Sequence, residues 1–152
     1  MNERRFTSKT SLAWYATIVL TATYTFSFID RQIVNLLVEP IKADLQLSDT
    51  QISFLQGLAF VVPYLILSIP VGRLVDTVSR VKVLIGGIIF WSVACVFCGL
   101  SKTMTQLAIG RMGVGAGEAS VTPAAWSLLA DYFPEDKRGL PVSIFLMGPY
   151  LG

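Results

Sequence analysis

The chain has 152 residues, of which 53% are apolar and only 14% are charged, and its mean hydropathy is +0.63. A soluble domain carries about 25% charged residues, so this composition excludes an ordinary soluble fold and indicates a membrane protein. The net charge of +2 carries little information, because the placement of charges matters more than their sum in such a protein.

The apolar runs are about 20 residues long, which is typical of helices that cross a bilayer and not of barrel strands. We therefore predict an all-α membrane protein. A cytoplasmic tail at residues 1–11 is expected to precede helices at 12–37, 49–71, 82–100, 107–132 and 140–152.

Prolines and capping residues suggest where the first two helices begin and end. Pro40 is expected to end the first helix, because proline lacks a backbone donor. Ser48 and Gln51 form a capping-box pattern that opens the second helix. Pro63 and Pro70 are expected to kink that helix.

The last predicted helix is incomplete. Its 13 residues reach only ~20 Å of a hydrocarbon core that is ~30 Å thick. The sequence therefore looks truncated, and we interpret residues 12–152 as part of an N-terminal six-helix domain.

The placement of Lys and Arg predicts the orientation in the membrane. With the N-terminus inside, eight basic residues lie on the cytoplasmic side and two lie outside, as the positive-inside rule requires. The inside set is Arg4, Arg5, Lys9, Arg73, Arg80, Lys82, Lys137 and Arg138, and the outside set is Lys42 and Lys102. No N-glycosylation acceptor or organellar presequence is present, which favours a bacterial inner membrane.

Four charged residues stand within the apolar helices. A charge at membrane depth costs roughly 2.5–3.5 kcal/mol, so such residues normally line a pathway and have partners. Arg111 and Glu118 are seven residues apart and project from nearly one face of their helix. Depth along the helices predicts that Arg31 faces Glu118 and that Asp30 approaches Arg111. We assign a substrate or proton pathway to Asp30, Arg31, Asn35, Arg111 and Glu118.

These buried pairs suggest how a proton could act. Protonation of Asp30 or Glu118 would leave a surplus positive charge and loosen a pair, which would bias a transporter between two states. A static buried ion network is the alternative interpretation. Proton coupling is therefore a hypothesis at this point.

The fourth helix also carries three glycines at alternate positions, Gly113, Gly115 and Gly117. Small residues let the backbone of another helix come close, so we interpret these glycines as packing positions. The same glycines, together with Pro123, are expected to interrupt the helix.

Enzymatic chemistry has little support in this sequence. Cys95 and Cys98 form a C-x-x-C pair, but zinc or redox chemistry needs polar surroundings and access, which an apolar segment does not give. The chain contains no His, and no Ser or Cys nucleophile has a base at a suitable spacing. We predict no enzyme activity, no cofactor, no metal site and no nucleic-acid partner.

The segment between the second and third helices carries a recognisable motif. It resembles the signature loop of the major facilitator superfamily, G-x-L-x-D-r-x-G-r-k-x-x-l. The matching residues are Gly72, Leu74, Asp76, Arg80 and Leu84, and the departures are Thr77, Ser79 and Val81, with Lys82 one place after the expected basic residue.

This resemblance implies the N-terminal part of a twelve-helix transporter. It also implies a gating loop, which we assign to Gly72, Asp76, Arg80 and Lys82. Without the resemblance, the same residues are interpreted as a basic turn that only fixes topology, with Asp76 able to cap the third helix.

Within that superfamily the chain resembles spinster-like transporters. The resemblance is carried by Phe28-Ile29-Asp30-Arg31, by Gly115-Ala116-Gly117-Glu118-Ala119-Ser120 and by Ala130-Asp131-Tyr132-Phe133-Pro134. Eukaryotic members move lysophospholipids and sphingosine phosphate. The resemblance therefore implies alternating-access transport of a small anionic or amphipathic solute, with a lipid-like solute, protons, membrane lipids and the protein's own helices 5–12 as partners. Arg31 or Arg111 would contact the anionic headgroup.

Two alternatives stay open. The anion–cation symporter branch also has an Asp-Arg junction and a Gly-Glu pair in its fourth helix, and it would give uptake of an organic anion. A non-transporting structural membrane subunit would give no solute flux.

Overall fold

The computed structural model describes residues 3–152, with side chains described from Thr10 onward. All regular structure in this range is helical, which confirms the predicted all-α class. A short 3-10 helix occupies Glu135–Lys137. The α-helices are α1 (Glu3–Leu36), α2 (Val38–Leu45), α3 (Asp49–Gln56), α4 (Leu58–Thr77), α5 (Arg80–Gly99), α6 (Met104–Glu118), α7 (Val121–Tyr132), α8 (Gly139–Leu146) and α9 (Gly148–Leu151).

The first helix begins earlier than predicted. It starts at Glu3, so most of the tail predicted at residues 1–11 is helical, because no Pro or Gly interrupts the chain there. The side chains of Arg4, Arg5 and Lys9, which enter the orientation argument, lie outside the described side chains.

Pro40 does not end the first helix. α1 ends at Leu36, and Pro40 lies in the first turn of α2. Proline is tolerated there because the first amides of a helix have no acceptor within it. The predicted capping box is confirmed: the Gln51 amide donates to Ser48 Oγ at 3.3 Å, and the Ser48 amide donates to Gln51 Oε1 at 2.8 Å.

The helix interruptions lie at positions that the sequence did not single out. Pro63 and Pro70 lie inside the continuous helix α4, where the kinks expected of them stay a prediction, and the chain is interrupted at Gly57, between α3 and α4. The glycines of α6 do not break that helix either. The break lies at positions 119–120, where the Ser120 hydroxyl donates to the carbonyl of Gly117 at 2.9 Å and satisfies an acceptor at the helix end.

Three helical stretches in the described part of the chain are long and apolar enough to cross a membrane: Thr10–Leu36, Asp49–Thr77 and Arg80–Gly99. The fourth predicted helix, 107–132, is divided into α6 and α7. Their lengths of 15 and 12 residues fall short of a span when each is taken alone.

The helices belong to two compact units. The first consists of the chain up to Asp30 together with Ala125–Gly152, and the second consists of Arg31–Ala124. In the first unit, the ring edge of Trp14 meets Phe133 at a centroid distance of 5.5 Å. The Thr25 hydroxyl donates a hydrogen bond of 3.0 Å to the carbonyl of Gly148. These two contacts hold α1 against the C-terminal part of the chain.

In the second unit, α6 packs closely against α5. A Cβ atom at Gly117 would lie 2.7 Å from Cβ of Trp91, and one at Gly113 would lie 3.0 Å from Cβ of Ala94. These distances are shorter than, or at the limit of, normal Cβ contacts. Both glycines therefore allow α5 to approach the α6 backbone more closely than any larger residue would.

Candidate functional site

Arg31 and Glu118 form an ion pair within the second unit, as the sequence predicts. The Nε and Nη2 atoms of Arg31 donate hydrogen bonds of 2.9 and 2.6 Å to the same oxygen, Oε2 of Glu118. The side chain of Glu118 is fully buried, whereas that of Arg31 is 32% exposed. Arg31 is therefore the more exposed member of the pair.

An aromatic ring links this pair to the second arginine. The guanidinium carbon of Arg31 lies 4.7 Å from the ring centroid of Phe60, and that of Arg111 lies 5.1 Å from the same centroid. Tyr64 stacks beside Phe60 at 5.9 Å and contacts Arg31 at 5.4 Å. The negative ring face attracts both cations, so Phe60 offsets part of the repulsion between them.

Phe60 and Tyr64 are residues of the candidate site that the sequence pattern does not reveal. They lie four residues apart in a strongly apolar helix, and aromatic residues at such spacing usually serve packing. Only their position relative to the two arginines separates them from ordinary core residues.

Gly115 explains how α4 comes so close to α6. A Cβ atom at Gly115 would overlap the carbonyl oxygen of Phe60, so the two backbones meet at this point. Phe60 is buried at 5% exposure, and its ring lies beside the charged residues of α6. Because Gly115 has no side chain, the backbone of α4 comes close enough to α6 to place the Phe60 ring beside Arg111.

Arg111 is the most deeply buried cation of the site. It is only 4% exposed, and its Nε atom has no hydrogen-bond partner in the part of the chain that the structure describes. Within the second unit, Arg31 bonds to the carboxylate of Glu118, and the guanidinium groups of Arg31 and Arg111 both lie against the ring of Phe60. Because a buried charge needs compensation, the Nε atom of Arg111 is a candidate contact for a polar or anionic group.

Two other predicted pathway residues lie on α1. Asp30 belongs to the first compact unit, so its approach to Arg111 in the second unit stays a prediction. Asn35 donates from Nδ2 to Gln32 Oε1 at 2.8 Å, and Gln56 donates from Nε2 to Asn35 Oδ1 at 2.9 Å. The sequence pattern does not single out Gln32 or Gln56, although amides within apolar runs are a visible signal.

The residues of the predicted gating loop lie on helix ends. Gly72 and Asp76 belong to the last turns of α4, and Arg80 and Lys82 belong to the first turn of α5. The N-cap residue of α5 is Ser79, so Asp76 does not occupy the capping position suggested for it. The role of these residues in gating stays a prediction.

The cysteine pair lies close to the site. Cys98 packs against Gly110, where a Cβ atom would lie 2.5 Å from its sulfur. Among the described residues, no group of three or more His, Cys, Asp or Glu side chains is arranged to hold a metal ion.

The chain is similar to known proteins. The family model for the Major Facilitator Superfamily matches residues 20–152. The chain is 36% identical over 132 residues to an MFS-type efflux pump of Mycolicibacterium smegmatis, an alignment that covers 87% of this chain and 31% of that protein. It is 30% identical over 126 residues to a probable L-galactonate transporter of Escherichia coli, covering 83% of this chain and 28% of that protein.

A solved structure is also similar. It is the crystal structure of a bacterial homologue of the human lysosomal transporter Spinster, in an inward-facing and unoccupied conformation. The match has a TM-score of 0.87 at 36% identity and covers 90% of this chain and 29% of that one. The chain thus spans 28–31% of the length of these three relatives.

Proposed function

Because the chain belongs to the Major Facilitator Superfamily, we propose that it forms the first helices of a twelve-helix transporter that moves a small organic anion by alternating access. Facilitators bind their solute between two six-helix halves, near the middle of the membrane. This chain would supply one wall of that site. It would not transport by itself.

The observation that carries the proposal is the charged cluster around Phe60. Arg31, Arg111 and Glu118 combine two positive charges with one negative charge, and Glu118 is fully buried behind Arg31. A planar guanidinium group binds carboxylate and phosphate oxygens well, through paired hydrogen bonds. The partly exposed guanidinium group of Arg31 is therefore the proposed contact for an anionic solute.

A proton is the proposed coupling ion. Protonation of Glu118 would remove the charge that holds Arg31, and the released guanidinium group would then be available to the solute or to a second conformation. Asp30 is the second candidate acid. If the cluster is instead a static network, neutralising these acids would leave proton-driven uptake unchanged.

A lipid-like amphipathic anion is the second candidate solute. Its support is the likeness to the solved bacterial homologue of Spinster. The L-galactonate transporter of E. coli instead supports a small organic acid, as in the anion–cation symporter alternative. The direction of transport is left open by these relatives, since one of them is an efflux pump.

We further propose a cytoplasmic N-terminus in a bacterial inner membrane. The bias of Lys and Arg toward one side supports the orientation. The named relatives are bacterial, which supports the membrane. A cysteine-accessibility experiment at Lys102→Cys, with labelling from the periplasmic side, tests this orientation.

Solute flux in proteoliposomes tests the proposal. The complete transporter is reconstituted, and anion uptake is measured with and without a pH gradient. We expect Arg31→Met to reduce uptake by roughly tenfold or more, because it removes a charge-assisted contact to the solute. Asp30→Asn and Glu118→Gln should lose the response to the gradient but keep anion exchange.

Lys102→Met removes an exposed positive charge outside the cluster and is the matched control. Full proton-driven uptake in both acid variants would show that the coupling hypothesis is wrong. Absence of any anion flux from a folded wild-type transporter would support the structural-subunit alternative.

A further inference from the structure

Three side-chain amides form a hydrogen-bonded ladder beside the charged cluster. Gln56 of α3 donates to Asn35 of α1, and Asn35 donates to Gln32 one turn earlier in the same helix. The distances are 2.9 and 2.8 Å. All three residues belong to the second compact unit, so the ladder is a local feature of Arg31–Ala124.

The ladder lies within stretches that can cross a membrane. Gln32 and Asn35 belong to Thr10–Leu36, and Gln56 belongs to Asp49–Thr77. Gln32 and Asn35 are exposed in the structure, and Gln56 is half-buried. Amides turned toward hydrocarbon are costly, so side-chain amides in such helices normally face protein, water or a polar solute.

The ladder also lies near both arginines of the charged cluster. Asn35 follows Arg31 by four residues, so the two side chains share one face of α1, ~6 Å apart along its axis. Gln56 lines the same small cavity as Arg111. A solute whose negative group reaches the exposed edge of Arg31 would therefore extend along the amides.

The chemistry of the ladder selects the kind of solute. A side-chain amide offers both a donor and an acceptor, and a hydroxyl group offers the same pair. After the two internal hydrogen bonds, Asn35 still has one N–H, and Gln32 and Gln56 retain outer donor and acceptor capacity. An alkyl chain would leave these groups without partners, which disfavours a lipid tail along this face.

We propose that Gln32, Asn35 and Gln56 form a hydroxyl-binding subsite next to Arg31, so that the solute is a polyhydroxylated carboxylate of sugar-acid type. The proposal rests on the proposed function and refines it, because it names the class of anion. Arg31 binds the carboxylate, and the amide ladder binds the hydroxyl groups along the carbon chain.

Binding measurements with two matched probes test the subsite. Gluconate and hexanoate are both six-carbon carboxylates, but only gluconate carries hydroxyl groups. Each is titrated calorimetrically into the purified complete transporter in lipid nanodiscs. We expect Asn35→Leu and Gln56→Met to weaken gluconate binding about tenfold each, and to leave hexanoate binding unchanged.

Two controls accompany these variants. Arg31→Met should weaken the binding of both probes, because it removes the carboxylate partner. Gln46→Asn changes an amide outside the ladder, at a left-handed position that Asn tolerates, and should change neither. Hexanoate binding on the same preparation shows that each ladder variant is folded.

The outcomes separate the subsite from the transport function. If both probes bind through Arg31 and the ladder variants do not affect gluconate, the subsite proposal is overturned and the anion transporter stands. Binding of lysophosphatidic acid alone would likewise overturn the subsite and favour the lipid-like solute. If no anion binds to a folded transporter, both proposals fail.

Discussion

The backbone of Gly115 lies directly against the carbonyl group of Phe60, and no side chain fits between α6 and α4 at this point. This contact brings the Phe60 ring within 5.1 Å of Arg111, one helical turn away on α6. The spacing of two helix backbones thus sets the position of the charged cluster.

Gly115→Ala is expected to destabilise the protein. The added methyl group meets backbone atoms, which move less easily than the end of a side chain, so we expect a loss of about 1–3 kcal/mol in the free energy of unfolding. Thermal unfolding of the purified protein in detergent measures this change. Gly86→Ala is the matched control, because a Cβ atom at Gly86 has no atom within 4 Å. Equal stability of the two variants would contradict the backbone contact.

Glu118→Gln should destabilise the second unit. The amide keeps the shape of the side chain, but the two hydrogen bonds from Arg31 lose their charged acceptor. We expect a loss of about 1.5–3 kcal/mol, because hydrogen bonds to buried charged groups are worth more than neutral ones. Arg31→Lys should lose part of the same stability, since lysine offers no planar pair of donors. An unfolding midpoint that does not move in either variant would contradict a stabilising pair.

Phe60→Leu tests whether the ring attracts the two arginines. Leucine keeps the site apolar but has no negative ring face, so the guanidinium groups of Arg31 and Arg111 lose about 1–2 kcal/mol of attraction. We expect weaker anion binding from Phe60→Leu. A series of fluorinated phenylalanines at the same position should weaken binding in step with fluorine number, because each fluorine reduces the negative charge of the ring face. Binding that stays constant through the series would assign Phe60 to packing alone.

Much of the helical pattern follows from the sequence, whereas several helix boundaries do not. Apolar runs and the Ser48 capping pattern predict where helices form, because both signals are local. Pro40 is misleading, since a proline can either end a helix or occupy the first turn of the next one. The break after Glu118 lies just before Pro123, which occupies the first turn of α7, and not at the glycines of α6.

The same distinction applies to the candidate site. Arg31 and Glu118 can be paired from the sequence, because charges in apolar helices need partners and their depths match. Phe60 cannot be chosen among the aromatic residues of the chain without the position of α6. Gln32 and Gln56 can be assigned to the candidate site only from the structure, which shows that both form hydrogen bonds with Asn35.

Lys42 gives a pH-dependent prediction outside the membrane-spanning stretches. The hydrogen bond that Lys42 donates to Asp49 raises the pKa of Lys42 above its usual value of 10.5, and the charges of Asp49 and Glu39 raise it further. A raised pKa means that the stabilisation is present below the unfolded pKa and is lost as the pH rises through the higher folded pKa.

Asp49→Asn should therefore move the pKa of Lys42 back toward 10.5, and Glu39→Gln should move it less. The rate at which an amine-specific reagent labels Lys42, followed by mass spectrometry across alkaline pH, measures both effects. A larger change in Glu39→Gln than in Asp49→Asn would show that Asp49 is not the main partner of Lys42.

The main-chain contact at Gly115 has a consequence for how such proteins diversify. The contact of Gly115 with the Phe60 backbone involves no polar side chain of α1 or α3, so substitution of the amides there leaves the approach of α4 to α6 in place. If the proposed subsite holds, evolution can exchange one solute for another through these amides alone, while the pair of Arg31 with Glu118 is retained.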